Sequence, residues 1–169
     1  MDIKRIDNYI SNDKIEELIA YFKKLSVQEQ QEFMQYFIDK LSKYQMPEDN
    51  LKRNTVVLVL AELKCNEAVP VIIDLIQKEA ESSYIGTLVY ALQDLECAEY
   101  LEKIDNLLYK GNYEVRRNML DLLEQNKQKM SLGMRKKIYF NLEKAIKKYK
   151  DILLGLYLAK DEMFDEGGY

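Results

Sequence analysis

Residues 55–76 read TVVLVLAELKCNEAVPVIIDLI, and residues 87–108 read TLVYALQDLECAEYLEKIDNLL. Aligned without a gap at an offset of 32, the two stretches share eight identical positions out of 22, among them Cys65 with Cys97. Apolar residues recur at three- and four-residue spacing in both stretches, a pattern that indicates amphipathic helices and not strands. The chain therefore contains an internal helical repeat.

Each copy is predicted to be a helix, a tight corner at the cysteine, and a second helix that begins near Glu67 or Glu99. A fainter third copy follows at an offset of 31, where Met119 takes the place of Leu88, and its second helix is predicted over residues 132–149. Because one helix pair cannot bury its apolar faces alone, such repeats stack and share a core. We therefore predict an all-α fold, a right-handed α-solenoid of helical hairpins.

The repeats are predicted to lie within a single domain over residues 1–169. Residues 1–46 form an N-terminal helical hairpin that caps the solenoid, and residues 48–149 hold about three repeats. Residues 150–169 are predicted to form a C-terminal helix followed by an acidic tail, which is expected to fray.

Short polar residues mark the helix ends of the N-terminal hairpin. Asn12 is placed to cap a first helix over residues 13–25, and Ser26 opens a capping-box pattern at the start of a second. The second helix is predicted to reach about Tyr44 and to end before Pro47, since proline disfavours helix at the residue that precedes it.

Three further residues mark helix boundaries in the repeats. Gly111 is expected to adopt the left-handed conformation that ends a helix, and Asn112 to cap the next one. Pro70 is predicted to lie in the first turn of its helix, where a missing amide costs least.

Composition limits the chemistry that this chain can perform. It has no histidine, which is the usual general base, metal ligand and pH switch, so most catalytic triads and zinc sites are excluded and carboxylate-only chemistry stays open. We expect no catalytic site, no cofactor and no metal. The N-terminus is charged from Asp2 onward and shows no signal peptide or membrane span. We expect a cytoplasmic protein with reduced cysteines.

Three stretches resemble HEAT repeats. Residues 112–120 (NYEVRRNML) are similar to the start of a HEAT repeat, and residues 60–63 (LAEL) and 68–72 (AVPVI) to its corner and second helix. Residues 86–92 (GTLVYAL), followed by Leu95-Glu96-Cys97, also resemble HEAT-like immunity proteins that accompany bacterial polymorphic toxins. This resemblance implies a bacterial protein that neutralises a cognate toxin by direct binding.

The two cysteines have two interpretations. A redox pair or half of a metal site would need partners, and the sequence holds no CxxC motif and no histidine. Because Cys65 and Cys97 occupy equivalent corners of adjacent repeats, we interpret both as packing residues in small apolar pockets.

A second candidate feature is an acidic surface. Residues 66–110 contain nine acidic residues and three lysines, a local net charge of −6. The simple interpretation is a solvated helix surface; the functional one is a concave face that attracts a basic protein, such as a basic toxin domain. The candidate partner-binding residues on that face are Asp74, Gln77, Lys78, Glu81, Glu102, Asp105, Asn106 and Tyr109.

The charge reverses over residues 130–150, where seven basic residues face only Glu143 and the local net charge is +6. A solvated helix surface explains this excess, and duplex DNA binding, known for some HEAT-like glycosylases, is the alternative. The whole chain is acidic at net −4, which argues against nucleic acid. We therefore predict a non-enzymatic protein-binding module, most specifically an immunity protein, with a scaffold or adaptor as the alternative; the sequence leaves its oligomeric state open.

Overall fold

The computed structural model describes residues 1–44, 48–79 and 83–164, and their side chains except those of Ser83 and of residues 160–164. All regular structure in these ranges is helical, which confirms the all-α class. The backbone divides into two compact units, Met1–Met130 and Ser131–Tyr169. The α-helices are α1 (Ile3–Ser11), α2 (Ile15–Phe22), α3 (Val27–Leu41), α4 (Asn50–Glu62), α5 (Val69–Lys78), α6 (Gly86–Ala91), α7 (Leu107–Lys110), α8 (Tyr113–Asn126) and α9 (Leu132–Phe164).

The N-terminal segment holds one helix more than the sequence predicted. Helix α1 is capped by Asp2, which accepts a hydrogen bond from the Arg5 amide at 3.1 Å, and it buries Ile6 and Ile10. The predicted capping role of Asn12 is wrong, because its side-chain amide donates to the Asn8 carbonyl at 2.7 Å and so closes α1.

The capping box at Ser26 is confirmed. The Ser26 hydroxyl accepts from the Glu29 amide, and the Glu29 carboxylate accepts in return from the Ser26 amide at 3.0 Å. Helix α3 then ends at Leu41, before the predicted Tyr44, and the predicted stop at Met46-Pro47 lies outside the described residues.

Helix α4 is the centre of the first unit. It packs against α1, α2, α3 and α6, so it is surrounded on most sides. Its apolar pattern is correspondingly continuous, as expected of a helix without a solvated face. Its buried apolar residues are Val56, Val57, Val59, Leu60 and Ala61.

The two main repeat copies differ in their second halves. In the first copy, α4 is followed by a corner at Lys64 and Cys65, a 3₁₀ turn (Asn66–Ala68) and α5, whose first turn contains Pro70 as predicted. Lys64 has φ 54°, in the left-handed region.

In the second copy a regular second helix is absent over Ala98–Lys103, which form a 3₁₀ helix and lead to the short α7. The prediction of a full helix from Glu99 is therefore wrong. Both corner cysteines are buried, which confirms the packing interpretation.

Of the two predictions for Gly111 and Asn112, the cap at Asn112 is confirmed and the left-handed conformation of Gly111 is wrong. The Asn112 side chain caps α8 by accepting from the Val115 amide at 2.9 Å. Gly111, however, has φ −65° and ψ 160°, an ordinary extended conformation. Glycine is required there by space, because a Cβ atom would lie 2.7 Å from both the Leu107 carbonyl oxygen and Val115 Cγ1.

The second unit consists mainly of α9. The Ser131 hydroxyl accepts from the Met134 amide at 3.1 Å at its start, and the helix then runs for 33 residues, about 50 Å at 1.5 Å per residue. The predicted helix over residues 132–149 is thus only its first half. The acidic tail was predicted from Asp161, but residues 161–164 still belong to α9, and residues 165–169 lie outside the described residues.

Candidate partner-binding surfaces

Helix α5 presents the first group of predicted binding residues. Asp74, Gln77 and Lys78 are all exposed, on the side opposite the buried residues Ile72 and Ile76. They are held on a regular helix whose apolar side is fully packed, so their backbone positions are well defined.

The second group lies in the irregular part of the second repeat copy. Glu102, Asn106 and Tyr109 are half-buried, whereas Asp105 is only 5% exposed and lies in sequence between the buried residues Ile104 and Leu107. Asp105 therefore belongs to the interior of this segment more than to its surface. The eighth predicted residue, Glu81, lies outside the described residues.

The two groups are neighbours in the structure. Helix α5 packs against the Ala98–Lys103 turn, and the Gln77 side-chain amide donates to the Lys103 carbonyl oxygen at 3.2 Å. Gln77 thus joins the two repeat copies, in addition to being exposed. The surface available to a partner is formed by Asp74 and Lys78, with Glu102 beside the joint.

Several acidic residues of this region already have basic partners. Asp94 accepts from Lys64 at 2.6 Å, and Glu79 from Arg53 at 2.5 Å. The count of nine carboxylates therefore overstates the charge that a partner would meet. Other carboxylates of the region are exposed: Glu67, Asp74, Glu96 and Glu99.

The sequence did not predict a structural role for Arg53, although this residue holds the chain segment that follows α5 against α4. Its guanidinium is 0% exposed; Nη1 donates to Glu79, and Nη2 donates to the Tyr84 carbonyl oxygen at 2.5 Å and to Asn50 at 3.2 Å. These bonds tie α4 to the chain after α5. Arg53, Val56 and Leu60 follow one another at spacings of three and four residues, so Arg53 lies on the buried stripe of α4. This spacing is the feature of the sequence that indicates its burial.

Both thiols are shielded. Burial is the main cause that raises the pKa of Cys65 and of Cys97 to about 11 from an ordinary value of about 9. The Cys97 thiol donates to the Leu92 carbonyl oxygen at 3.4 Å. Neither group is a nucleophile at neutral pH, since the thiolate is the reactive form. In the described part of the chain, no cluster of three or more cysteine or carboxylate side chains is arranged to bind a metal ion.

No known protein family, curated protein or solved structure matches this chain. Its function must therefore be inferred from its own surfaces.

Helix α9 carries the basic surface that the sequence predicted. All seven of its basic residues over residues 135–150 are exposed, as is Glu143. A shallow depression of about 490 Å³ lies between them, lined by Leu132, Arg135, Lys136, Tyr139 and Phe140. The rings of Tyr139 and Phe140 meet edge to face at 5.8 Å.

The sequence prediction did not identify the apolar surface of α9. Eight consecutive residues over 152–159 (ILLGLYLA) are apolar or glycine, and every one of them is exposed. None of the helices in the described ranges has the length and hydropathy needed to cross a membrane. The run itself was visible in the sequence, where it belongs to the predicted C-terminal helix that follows the repeats.

Proposed function

We propose that this chain is a non-enzymatic protein-binding module, and most specifically a cytoplasmic immunity protein that neutralises a bacterial toxin domain. The observation that carries the proposal is the α5 surface, where Asp74 and Lys78 are exposed and Gln77 is bonded to the carbonyl of Lys103, the neighbour of half-buried Glu102. A rigid polar surface of this kind suits a protein partner, because little conformational entropy is lost on binding.

The architecture that we propose for it is a right-handed α-solenoid of HEAT-like hairpins. The α4–corner–α5 unit and the α8 cap at Asn112 support this part of the proposal. HEAT-like hairpins bind partners along the surface of their second helices, and α5 is such a helix. Fold alone does not define function, so the partner must be tested directly.

The absence of histidine and the protonated state of both thiols support a non-enzymatic role. A scaffold or adaptor would use the same surface, and genetic context separates the two: a toxin gene directly beside this one favours immunity. Duplex DNA binding through the basic part of α9 is the second alternative, and it predicts a gel shift at moderate salt.

The decisive experiment begins with partner isolation from native lysate. An immunity role requires one stoichiometric partner that is toxic when expressed alone and harmless when this chain is co-expressed. Association is then measured at two salt concentrations with the wild type and with the charge reversals Asp74→Lys and Glu102→Lys. If acidic steering operates, both variants should slow association by about tenfold at low salt and less at high salt.

Glu16→Lys is the matched control, because Glu16 is an exposed carboxylate on α2 and its reversal changes the net charge equally. It should leave the association rate nearly unchanged. Asp105 is unsuitable for reversal, since a buried lysine would destabilise the fold and confuse the result. Equal rates for all three variants would contradict the α5 surface as the binding site.

A further inference from the structure

The last part of α9 exposes apolar surface on every side of the helix. Successive residues lie about 100° apart around a helix, so residues 152–159 (ILLGLYLA) cover its whole circumference. All of them are exposed, and their large side chains are between 48% and 63% exposed. A contiguous apolar patch of this kind marks an interaction site. Because a protein groove covers one side of a helix, this segment is better suited to a medium that can surround it.

The positive charge of α9 lies directly before this apolar segment. Seven exposed basic residues and one acidic residue, Glu143, occur over residues 135–150. Residues 1–130, in contrast, carry a net charge of −6. The attraction of an anionic partner is therefore a property of α9 and not of the first unit.

Most basic and exposed apolar side chains of residues 135–150 lie on different sides of the helix. At about 100° per residue, the six lysines fall within a sector of about 160°. Tyr139, Ile146 and Tyr149 fall within a separate sector of about 80°. Arg135 lies in the apolar sector and Phe140 in the basic one, and these two are the exceptions. A helix with lysines on one side and aromatic and aliphatic residues on the other is typical of a bilayer interface.

The two parts of α9 together favour an anionic bilayer over other anionic partners. A nucleic acid would contact the basic side chains through its phosphates but would leave the apolar segment in water. An acidic groove on a protein would cover only one side of that segment. A bilayer presents anionic head groups next to acyl chains, so it is complementary to both parts of the helix.

We propose that α9 binds reversibly to the surface of an anionic bilayer, with residues 152–159 at the acyl chains and the lysines of residues 136–150 at the head-group phosphates. The apolar segment is about 12 Å long and a hydrocarbon layer is about 30 Å thick, so the segment reaches into one leaflet only. Cytoplasmic leaflets are anionic, which agrees with the proposed location of the protein. This binding is independent of the proposed toxin binding, which uses the first unit.

The first test is sedimentation of the full chain with vesicles of phosphatidylcholine, with and without phosphatidylserine. At about 0.1 M salt the wild type should bind the mixed vesicles at least about 30-fold more tightly than the neutral ones, and added salt should reduce the difference. The double reversal Lys144→Glu, Lys148→Glu should weaken binding to mixed vesicles at least about 30-fold. Lys23→Glu, Lys24→Glu is the matched control, since it changes the net charge equally at exposed lysines at the end of α2, and it should weaken binding less than about threefold.

The second test uses the absence of tryptophan from the chain. Tyr157→Trp introduces one indole in the apolar segment, and Tyr90→Trp introduces one in α6 at similar exposure, since the two tyrosines are 55% and 50% exposed. With mixed vesicles, the emission of the Tyr157→Trp variant should shift to shorter wavelength and be quenched by brominated acyl chains. The emission of the Tyr90→Trp variant should stay unchanged.

The third test measures the apolar contribution. Leu154→Gln should weaken binding to mixed vesicles roughly tenfold, because it removes apolar contact with the acyl chains. Leu120→Gln is the control on α8, where the leucine is 54% exposed against 60% for Leu154, and it should have an effect of less than about twofold. Circular dichroism checks that each variant keeps its helix content, as expected for substitutions of exposed residues.

Three results would overturn the proposal: equal binding to both kinds of vesicle or to neither, equal effects of the two lysine reversals, or an unshifted emission of the Tyr157→Trp variant with mixed vesicles. A chain that does not bind vesicles but binds duplex DNA or an acidic protein, or self-associates through Leu154, would assign α9 to that partner and would also overturn it. None of these outcomes depends on the toxin partner.

Discussion

A single buried charge connects three segments of the first unit. Arg53 lies on α4, Glu79 follows α5, and Tyr84 precedes α6. Taking a guanidinium out of water is costly, and the cost is offset only while its donors find acceptors. The two Nη atoms have acceptors, whereas the buried Nε has none within the described residues, so Arg53 stabilises this arrangement only as long as the hydrogen bonds of its Nη atoms are kept.

Replacement of Arg53 by alanine should lower the free energy of unfolding by about 3–5 kcal/mol, because it leaves the Glu79 carboxylate and the Tyr84 carbonyl without their donor. Arg53→Lys should lie between the alanine variant and the wild type, since an ammonium cannot reproduce the planar fork. Urea unfolding followed by circular dichroism measures both values.

The control is Arg117→Ala, which removes an exposed pair with Asp121 on α8. An exposed pair of this kind contributes little, so the change should stay within roughly 0.5 kcal/mol. Equal effects at positions 53 and 117 would show that the buried network does not contribute as the geometry indicates.

The corner thiols predict a specific pH dependence. Folding raises the pKa of Cys65 and Cys97 from about 9 to about 11, so the folded state holds their protons more tightly. Their contribution to stability is complete below about pH 9 and is lost as the pH rises toward 11, because the unfolded thiols ionise first. Urea midpoints measured across this range should fall.

The double variant Cys65→Ala, Cys97→Ala should lack this component of the decline. Burial also raises the pKa of Tyr36, and that of Tyr44 to about 12, so the tyrosines add their own loss of stability above about pH 10, and the thiol component is read between about pH 9 and pH 10. A thiol reagent at pH 8 gives an independent readout, and it should react slowly with the native protein and quickly in urea. Fast reaction of the native protein would mean that the corners open readily.

At the scale of helices, the sequence predicted those helix ends that are fixed by hydrogen bonds between neighbouring residues. The Ser26 box and the Asn112 cap are hydrogen bonds within one turn, and both are present as predicted. Helix α1 was missed although its signals, Asp2 as cap and Ile6 with Ile10 on one face, were all visible.

The different second halves of the two repeat copies were not predicted, because they depend on tertiary packing and not on local sequence. The two repeat copies share eight of 22 residues, yet α5 is regular and its counterpart is a 3₁₀ turn leading to α7. Apolar spacing defines which residues are buried, but not the exact hydrogen-bond pattern between them. The burial of Asp105 did have a signal in the sequence, because the alignment at an offset of 32 pairs it with the apolar Ile73, which is also buried.

Gly111 offers a test at the same scale, because space and not backbone conformation requires glycine there. Gly111→Ala should lower the free energy of unfolding by roughly 1–3 kcal/mol, since its Cβ would press on the Leu107 carbonyl, and Gly111→Asn should cost at least as much. Asparagine tolerates the left-handed region, so a milder effect of asparagine than of alanine would indicate a left-handed backbone instead.

Gly155 is the matched glycine, since a Cβ atom there would have no neighbour within 4 Å and the residue lies inside α9. Gly155→Ala should therefore stabilise the helix by roughly 0.5–1 kcal/mol, as a better helix former in an open position. Thermal unfolding monitored by helix content compares the two glycine positions directly.

At the scale of the molecule, the repeat pattern joins α8 to α9, whereas the structure has a boundary between two compact units at this point of the chain. The sequence pattern assigns α8 and the first half of α9 to one hairpin of a solenoid, whereas the backbone separates them at Met130. Burial follows the division, because almost all buried apolar residues belong to the first unit. Those of α9 are Ile138 and Ala145.

This difference leads to a prediction for the chain truncated after Ser131. If the first unit holds a complete core, the fragment should keep the helices of that unit and unfold in one cooperative transition. Its free energy of unfolding should then be less than roughly 2 kcal/mol below that of the full chain. Circular dichroism and urea unfolding measure both properties. A solenoid whose third hairpin needs α9 predicts the reverse, since α8 would then expose an uncovered apolar stripe and the fragment would aggregate or melt without cooperativity.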